Sequence, residues 1–410
     1  MHIKKYTLDN GMKVAICSAP QFQTVGITVG VKYGSVDEKP AINGAAHYLE
    51  HMLFKGTKKR TWQEIHDEAR NLGMNQNAFT NKETTAYFLG AYKGYFSRAA
   101  DLLSDMIKNS TFPEKEFELE RGPILNENLI RSDTPMYFFY DFMPKALYAK
   151  HAAKMPVAGD EDAIKRTTRQ DILKVYDKYY NPRNMIVSVY GGVSQKNALD
   201  TIKKNFGEMD KEYAAPARQT AKEKQEKKEI VINKRGIRQT RIGIGFKTKS
   251  FADSGIREYL AVSVMTETVR RRMFDEVRDK RGLSYDPNAF YMSYNTFGFI
   301  SSVAGVEPKN LDKAKAVMLD VFEGMQNGEI DRKELENRKR GLSIKYMVGR
   351  EDTLDMSLEM ADSYLTYGDT TLPERLPNLI KTVTLDEIRK YSEMYIDVDR
   401  YGMVTLKPER

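Results

Sequence analysis

Thr168-Arg169-Gln170-Asp171-Ile172-Leu173-Lys174-Val175-Tyr176-Asp177-Lys178-Tyr179-Tyr180, followed by Asn184-Met185-Ile186-Val187-Ser188-Val189, has a counterpart near the end of the chain. There Thr384-Leu385-Asp386-Glu387-Ile388-Arg389-Lys390-Tyr391-Ser392-Glu393-Met394-Tyr395 precedes Tyr401-Gly402-Met403-Val404-Thr405-Leu406, 216 residues after the first copy. Each reads as a helix leading into a strand. A second pair agrees: Leu89-Gly90-Ala91, ahead of the helix-period run Phe96–Ile107, matches Ala304-Gly305-Val306, ahead of Leu311–Phe322, at an offset of 215. Two matches in the same order at nearly equal spacing indicate a duplicated domain of roughly 200 residues.

Outward from the repeat, Lys13–Cys17 follows an Asn10-Gly11 turn and reads as a strand, as do Val25–Val31 and much of 76–92. Helical spacing covers residues near 44–55 and 61–72, the latter opening on Thr61 with Glu64 three residues on. Further helices cover Tyr95–Asn109 and a stretch from Pro113 toward Arg131. Strands followed by runs of helices favour α+β, with each of two homologous lobes an antiparallel sheet packed with helices. Residues 211–228 hold almost nothing a core could use and read as an extended, exposed linker. The expected division is 1–210, a linker at 211–228, and 229–410.

A chain of 410 residues with 41% hydrophobic and 30% charged residues is globular rather than disordered, and its length fits two or three domains. The net charge of +8, from 65 basic and 57 acidic residues, is mild for this length, so no nucleic-acid partner is expected. No apolar run reaches the ~18–20 residues of a membrane helix. The opening turns polar by Asp9-Asn10-Gly11, so no secretory signal is expected. Cys17 is the one cysteine, which excludes an intramolecular disulfide and fits a reducing, cytoplasmic compartment.

The chemistry concentrates in Gly44-Ala45-Ala46-His47-Tyr48-Leu49-Glu50-His51-Met52-Leu53-Phe54. On a helix, His47 and His51 are i and i+4, so both rings lie on one face and can grip one ion. Glu50 falls beside that face, placed to take a proton from metal-activated water without being a ligand. With five histidines in the chain, composition predicts only about 0.01 chance matches to this pattern. All five (His2, His47, His51, His66 and His151) lie in the first copy, so that copy supplies any imidazoles. Two histidines leave a catalytic zinc one ligand short, usually completed by a carboxylate. The helix from Pro113 offers Glu116, Glu118, Glu120 and Glu127; Glu120 and Glu127 share a face, and spacing alone does not choose between them.

His47-x-x-Glu50-His51, followed after 75 residues by Glu127, resembles the pitrilysin-type inverzincin metallopeptidases, and the two-copy layout resembles their short, mitochondrial-processing-peptidase-like branch. The resemblance implies one Zn2+ per chain held by His47, His51 and Glu127, with Glu50 as general base and Glu120 orienting a ligand histidine from outside. Gly73–Tyr87 resembles the family's Asn-Ala-x-Thr strand, which implies that Asn77, Ala78 and Phe79 bind an extended substrate added to a sheet edge. Val277–Tyr285 carries an arginine and a tyrosine seven apart, which implies Arg278 and Tyr285 as the pair holding the substrate carbonyl; Arg281 does not fit that spacing. Lys154–Gly159 matches a Gly-Arg-Pro-x-x-Gly segment of the branch only loosely. The activity implied is a zinc endopeptidase or oligopeptidase acting on unfolded peptides in a closed chamber, as a homodimer, with no nucleic acid or membrane as partner. The competing expectation is a non-catalytic scaffold subunit of the same fold.

Overall fold

The computed structural model describes residues 2–133, 135–210 and 216–409. Six strands build its first sheet: β1 (Lys4–Thr7), β2 (Lys13–Ser18), β3 (Thr24–Val31), β4 (Asn75–Thr80), β5 (Thr85–Tyr92) and β6 (Met185–Gly191). Their spatial order is β1-β2-β6-β3-β5-β4, which leaves β4 at an edge. Side chains alternate between the faces of a strand. Val14 and Ile16 of β2 therefore join Val25, Ile27, Val29 and Val31 of β3 in one core, shared with the Ala45–Met52 and Phe96–Asn109 helices. Ala15 and Cys17 point the other way, into a smaller core with Met356, Met360 and Leu365 of the Thr353–Tyr367 helix. Burial raises the pKa of the Cys17 thiol there. That helix can lie flat on β3 because the strand presents Gly26 and Gly30 to it. A Cβ on Gly26 would stand 2.3 Å from the Thr353 carbonyl oxygen, and one on Gly30 would stand 2.7 Å from Leu365. Between the glycines, Thr28 and Ser357 hydroxyls are hydrogen-bonded at 2.8 Å.

The second sheet contains β7 (Lys228–Lys234), β8 (Thr240–Thr248), β9 (Asn288–Ser293), β10 (Gly298–Val306) and β11 (Gly402–Pro408), in the order β7-β11-β8-β10-β9. This repeats the order β2-β6-β3-β5-β4. The helices Arg169–Tyr179 and Leu385–Tyr395 both begin with a capping box, Thr168 with Asp171 and Thr384 with Glu387, and both lead into a central strand. Asn288-Ala289-Phe290 on β9 repeats Asn77-Ala78-Phe79 on β4, and the partners of Asn77 and Asn288, Phe88 and Val303, again lie 215 apart. The glycine groove recurs as well: Gly243 and Gly245 of β8 lie beneath Phe139 and Met143 of the Pro135–Leu147 helix.

Four expectations are corrected. Neither sheet is wholly antiparallel: β2 runs parallel to β6 and β11 parallel to β7. Three strands and several helices separate β2 from β6 and β7 from β11, ample chain for the return that parallel neighbours require. The compact units are also not contiguous at 1–210 and 229–410. One comprises Met1–Ile130, Met155–Ala217 and Tyr346–Arg375; the other comprises Arg131–Lys154, Arg218–Lys345 and Leu376–Arg410. Each unit thus takes the helix over its glycine groove from the other half of the sequence. His151 accordingly belongs to the second unit, packed near Tyr148 and Phe297. Of the expected linker, 211–215 lie outside the described residues, and 218–228 belong to the second unit. There Glu223 accepts hydrogen bonds from the backbone N–H groups of Ala149, Lys150 and His151 at 2.6–3.0 Å, and Ala221 N–H donates to Thr296 O at 2.8 Å. Among the described residues, no helix is long and apolar enough to cross a membrane.

The groove makes a direct demand on β3. Gly26→Val should destabilise the first unit by roughly 1–3 kcal/mol through overpacking against the 353–367 helix, read as a lowered thermal midpoint. An unchanged midpoint would show that the helix does not rest on the strand.

Candidate metal centre

Gly44, at φ 102°, turns the chain into the Ala45–Met52 helix, whose Ala45, Ala46, Tyr48, Leu49 and Met52 are buried. Tyr48 carries the helix onto its neighbour: its ring stacks on Phe117 and its hydroxyl donates to the Phe117 carbonyl at 2.5 Å. Phe117 and Glu127 both belong to the Glu114–Asp133 helix, so this contact brings the two ligand-bearing helices together.

His47 is 3% exposed. Its Nε2 lies 3.3 Å from Nε2 of His51, and the two oxygens of Glu127 lie 3.4 Å away, Oε1 from His47 and Oε2 from His51. Three electron-pair donors thus converge on one point. Separations of this size suit ligand atoms about 2.1 Å from a shared tetrahedral centre, and the donor set of two imidazoles and one carboxylate suits zinc. The residues fit the metal that their types implied.

Glu120 stands behind this cluster rather than in it. Its Oε1 meets His51 Nδ1 at 2.8 Å and its Oε2 pairs with Lys55. Spacing left Glu120 and Glu127 open and the resemblance implied Glu127; the structure sets the two carboxylates in different places. Glu127 faces both Nε2 atoms, while Glu120 accepts the Nδ1 proton and turns the Nε2 lone pair of His51 toward the ion position. Burial works against a charged His51, but the hydrogen bonds with Glu120 and Glu127 and the charge of Glu50 carry its pKa up to about 9. Burial likewise acts to raise the Glu120 carboxyl, yet His51 and Lys55 hold it below its ordinary range.

Glu50 accepts a hydrogen bond from Thr80 Oγ1 at 2.5 Å. Thr80 ends β4, the edge strand that also carries Asn77, Ala78 and Phe79. Asn77 is exposed and its side chain accepts the Ala78 N–H at 2.9 Å. Thr80 lies in the same Gly73–Tyr87 segment as Asn77, yet its residue type alone assigns it no role. Strand alternation puts it on the inner face with Ala78, and that was the available signal.

Arg278 and Tyr285 belong to the second unit. Arg278 lies in a π-helical turn, Phe274–Asp279, with its guanidinium 4.6 Å from the Phe274 ring centre and 4.4 Å from that of Tyr285. Phe274 carries no signal in the sequence; it and a tyrosine that is 78% exposed both lie within cation–π range of the guanidinium. Arg281 is paired with Glu276 instead. His66, outside the cluster, is half-buried near Phe54 and Trp62.

A duplicated α+β fold with His-x-x-Glu-His on a buried helix and a distant glutamate facing both histidines defines a class, the inverzincin peptidases. Two family descriptions match: Insulinase (Peptidase family M16) over residues 13–161 and Peptidase M16 inactive domain over 166–342. The chain belongs to the M16, pitrilysin-type, peptidase family. It is 28% identical over 408 residues to an uncharacterized zinc protease of Bacillus subtilis, covering 99% of this chain and 98% of that one. It is also 28% identical to an uncharacterized zinc protease of Mycobacterium leprae, over 98% and 91% of the two chains. Its fold matches a protease from Helicobacter pylori with TM-score 0.92, 23% identity and 99% of both chains covered. It also matches a chain of Complex III2 from Candida albicans with TM-score 0.84, 14% identity and 98% and 95% covered.

The raised pKa of His51 sets the pH dependence of metal uptake. In the metal-free protein the ring stays protonated below about pH 9, and a cation must displace that proton. Zinc affinity, measured by competition with a chelator, should therefore strengthen as pH rises from 6 toward 9. A flat profile would contradict this protonation state.

Proposed function

We propose that the chain is a zinc-dependent endopeptidase or oligopeptidase acting on unfolded peptides. The observation that carries this reading is the convergence of His47, His51 and Glu127 within 4.8 Å, with the Glu50 carboxylate one residue away and an open sheet edge alongside. Bound to these three side chains, a zinc ion supplies a Lewis acid that acidifies water and polarises the scissile carbonyl. The remaining chemistry belongs to the chain. Glu50, oriented by Thr80, takes the proton of the attacking water and passes it to the leaving amine. The substrate lies as an added strand on β4, where its backbone competes with the Asn77 side chain for the Ala78 N–H, and Phe79 lines its path. Arg278 and Tyr285 donate to the oxyanion that develops on the carbonyl.

Replacing Glu50 by Gln should leave the zinc content at one ion per chain while cleavage of an unstructured peptide falls roughly 10²–10⁴-fold, the usual share of a general base. Zinc retained together with near-normal cleavage would overturn the role of Glu50.

The reading extends to assembly as a homodimer in which each site combines the metal-binding unit of one protomer with Arg278 and Tyr285 of its partner. A mixture of Glu50→Gln and Tyr285→Phe chains should then recover activity that neither has alone, since one mixed-dimer site is intact. No recovery, with mixed dimers demonstrated by mass, would argue against shared sites.

A second reading, a non-catalytic scaffold subunit, is favoured by the likeness to a chain of Complex III2 and by the inactive-domain description of residues 166–342. It predicts no chelator-sensitive cleavage even with zinc bound.

A further inference from the structure

The loop before the Glu161–Arg166 helix touches both helices that present the three converging side chains. At one end it seats on the start of the Ala45–Met52 helix. Asn43 Nδ2 donates to Pro156 O at 3.1 Å, and Asp160 N–H donates to Asn43 Oδ1 at 3.0 Å. Two glycines make the seat possible. Gly159 (φ +93°) and Gly44 (φ +102°) are left-handed and back to back, so that a Cβ on Gly159 would stand 2.6 Å from Gly44 Cα. The buried Glu38 carboxylate locks the same corner, accepting from Asn43 Nδ2, Gly44 N–H and Ala46 N–H at 2.7–2.8 Å. The same loop also reaches the neighbour of Glu127: Asn128 Nδ2 donates to Gly159 O at 3.3 Å. Lys82 Nζ donates to Met155 O and ties the loop's beginning to the turn after β4.

A single peptide unit at Gly159 is therefore held from two sides, by the residue beside Glu127 and by the entry to the histidine helix. These are the parts whose spacing decides whether two imidazoles and a carboxylate meet. We propose that the 156–160 loop is a clasp that sets the distance between the histidine pair and Glu127, with Asn128 and Asn43 as its positioning residues. The inference rests on the zinc-binding reading above. It goes beyond that reading by assigning the accuracy of the third ligand to a backbone contact outside the cluster. The Glu114–Asp133 helix has reason to need such a tether. Pro123, between Glu120 and Glu127, lacks the N–H that would bond to the Leu119 carbonyl, so one rung of the helical ladder is missing between the turn of Glu120 and that of Glu127.

The test is a zinc-affinity cycle on the full chain, read by competition with a fluorescent chelator. Asn128→Ala and the near-isosteric Asn128→Asp both remove the donor to Gly159 O. Each should weaken zinc binding roughly tenfold, the low end of what outer partners of metal ligands are worth. In a Glu127→Gln background, the same Asn128 changes should leave the residual affinity unaltered, because the clasp then has no third ligand to place. Unchanged affinity in the otherwise native chain overturns the clasp. An equal loss in both backgrounds also overturns it, since that outcome reports general damage to the fold. Absence of zinc binding by the unaltered protein would be a different failure, of the metal-binding reading itself. If Asn128→Ala does not fold, the Asn128→Asp pair of measurements decides alone.

Discussion

Two imidazole nitrogens held 3.3 Å apart, each 3.4 Å from an oxygen of one carboxylate, are the constraint around which the first unit is built. Electron-pair donors do not collect in a partly buried place without something positive between them. Without a metal, a proton on His51 supplies that charge, and the elevated pKa of the ring records the demand. The helices that create the demand cannot easily relax it. The histidine helix is buried along most of its length, and Tyr48 binds it to the helix bearing Glu127. Lys55, Glu120 and His51 form a chain of charge-assisted contacts that fixes the ring from behind.

The duplication explains how this cluster coexists with a second unit of different chemistry. Both copies use the same sheet order and the same glycine groove, and both begin the helix before the last strand with a threonine capping box. The shared scaffold is indifferent to what its first helix carries. In one copy that helix bears His47, Glu50 and His51; in the other, the long Phe251–Met273 helix runs into the π-helical turn that carries Arg278, close to the rings of Phe274 and Tyr285. A π-turn displaces one side chain relative to the regular helical series and is often found where a functional group must be re-aimed.

Much of this was legible in the residues because it is local. The Thr61/Glu64 capping pair, the helix–strand runs that start at Thr168 and Thr384, the i/i+4 histidine spacing and the strand character of β2 and β3 depend on neighbours in sequence. The two-copy organisation follows from them. What stayed hidden depends on partners distant in sequence. Gly26, Gly30, Gly243 and Gly245 read as small strand residues, and nothing in the sequence says that a helix from the other half lies on them. The parallel pairing of β2 with β6 depends on chain return, which periodicity does not encode. Residues 219–226 look like a solvated charged run because the backbone N–H groups that hold Glu223 carry no sequence signature. At the site, the histidines and Glu50 were plain. Spacing could not choose Glu127 over Glu120, which only the resemblance implied, and Thr80 and Phe274 emerged only from contacts.

The central claim is that His47, His51 and Glu127 of one chain hold one zinc ion together. Anomalous diffraction measured on both sides of the zinc absorption edge, from crystals of the purified protein, addresses it most directly. The account predicts a single edge-dependent peak per chain, about 2.0–2.2 Å from His47 Nε2, His51 Nε2 and a Glu127 oxygen. Crystals grown with zinc present that show no such peak, or a peak ligated by other side chains, would contradict it.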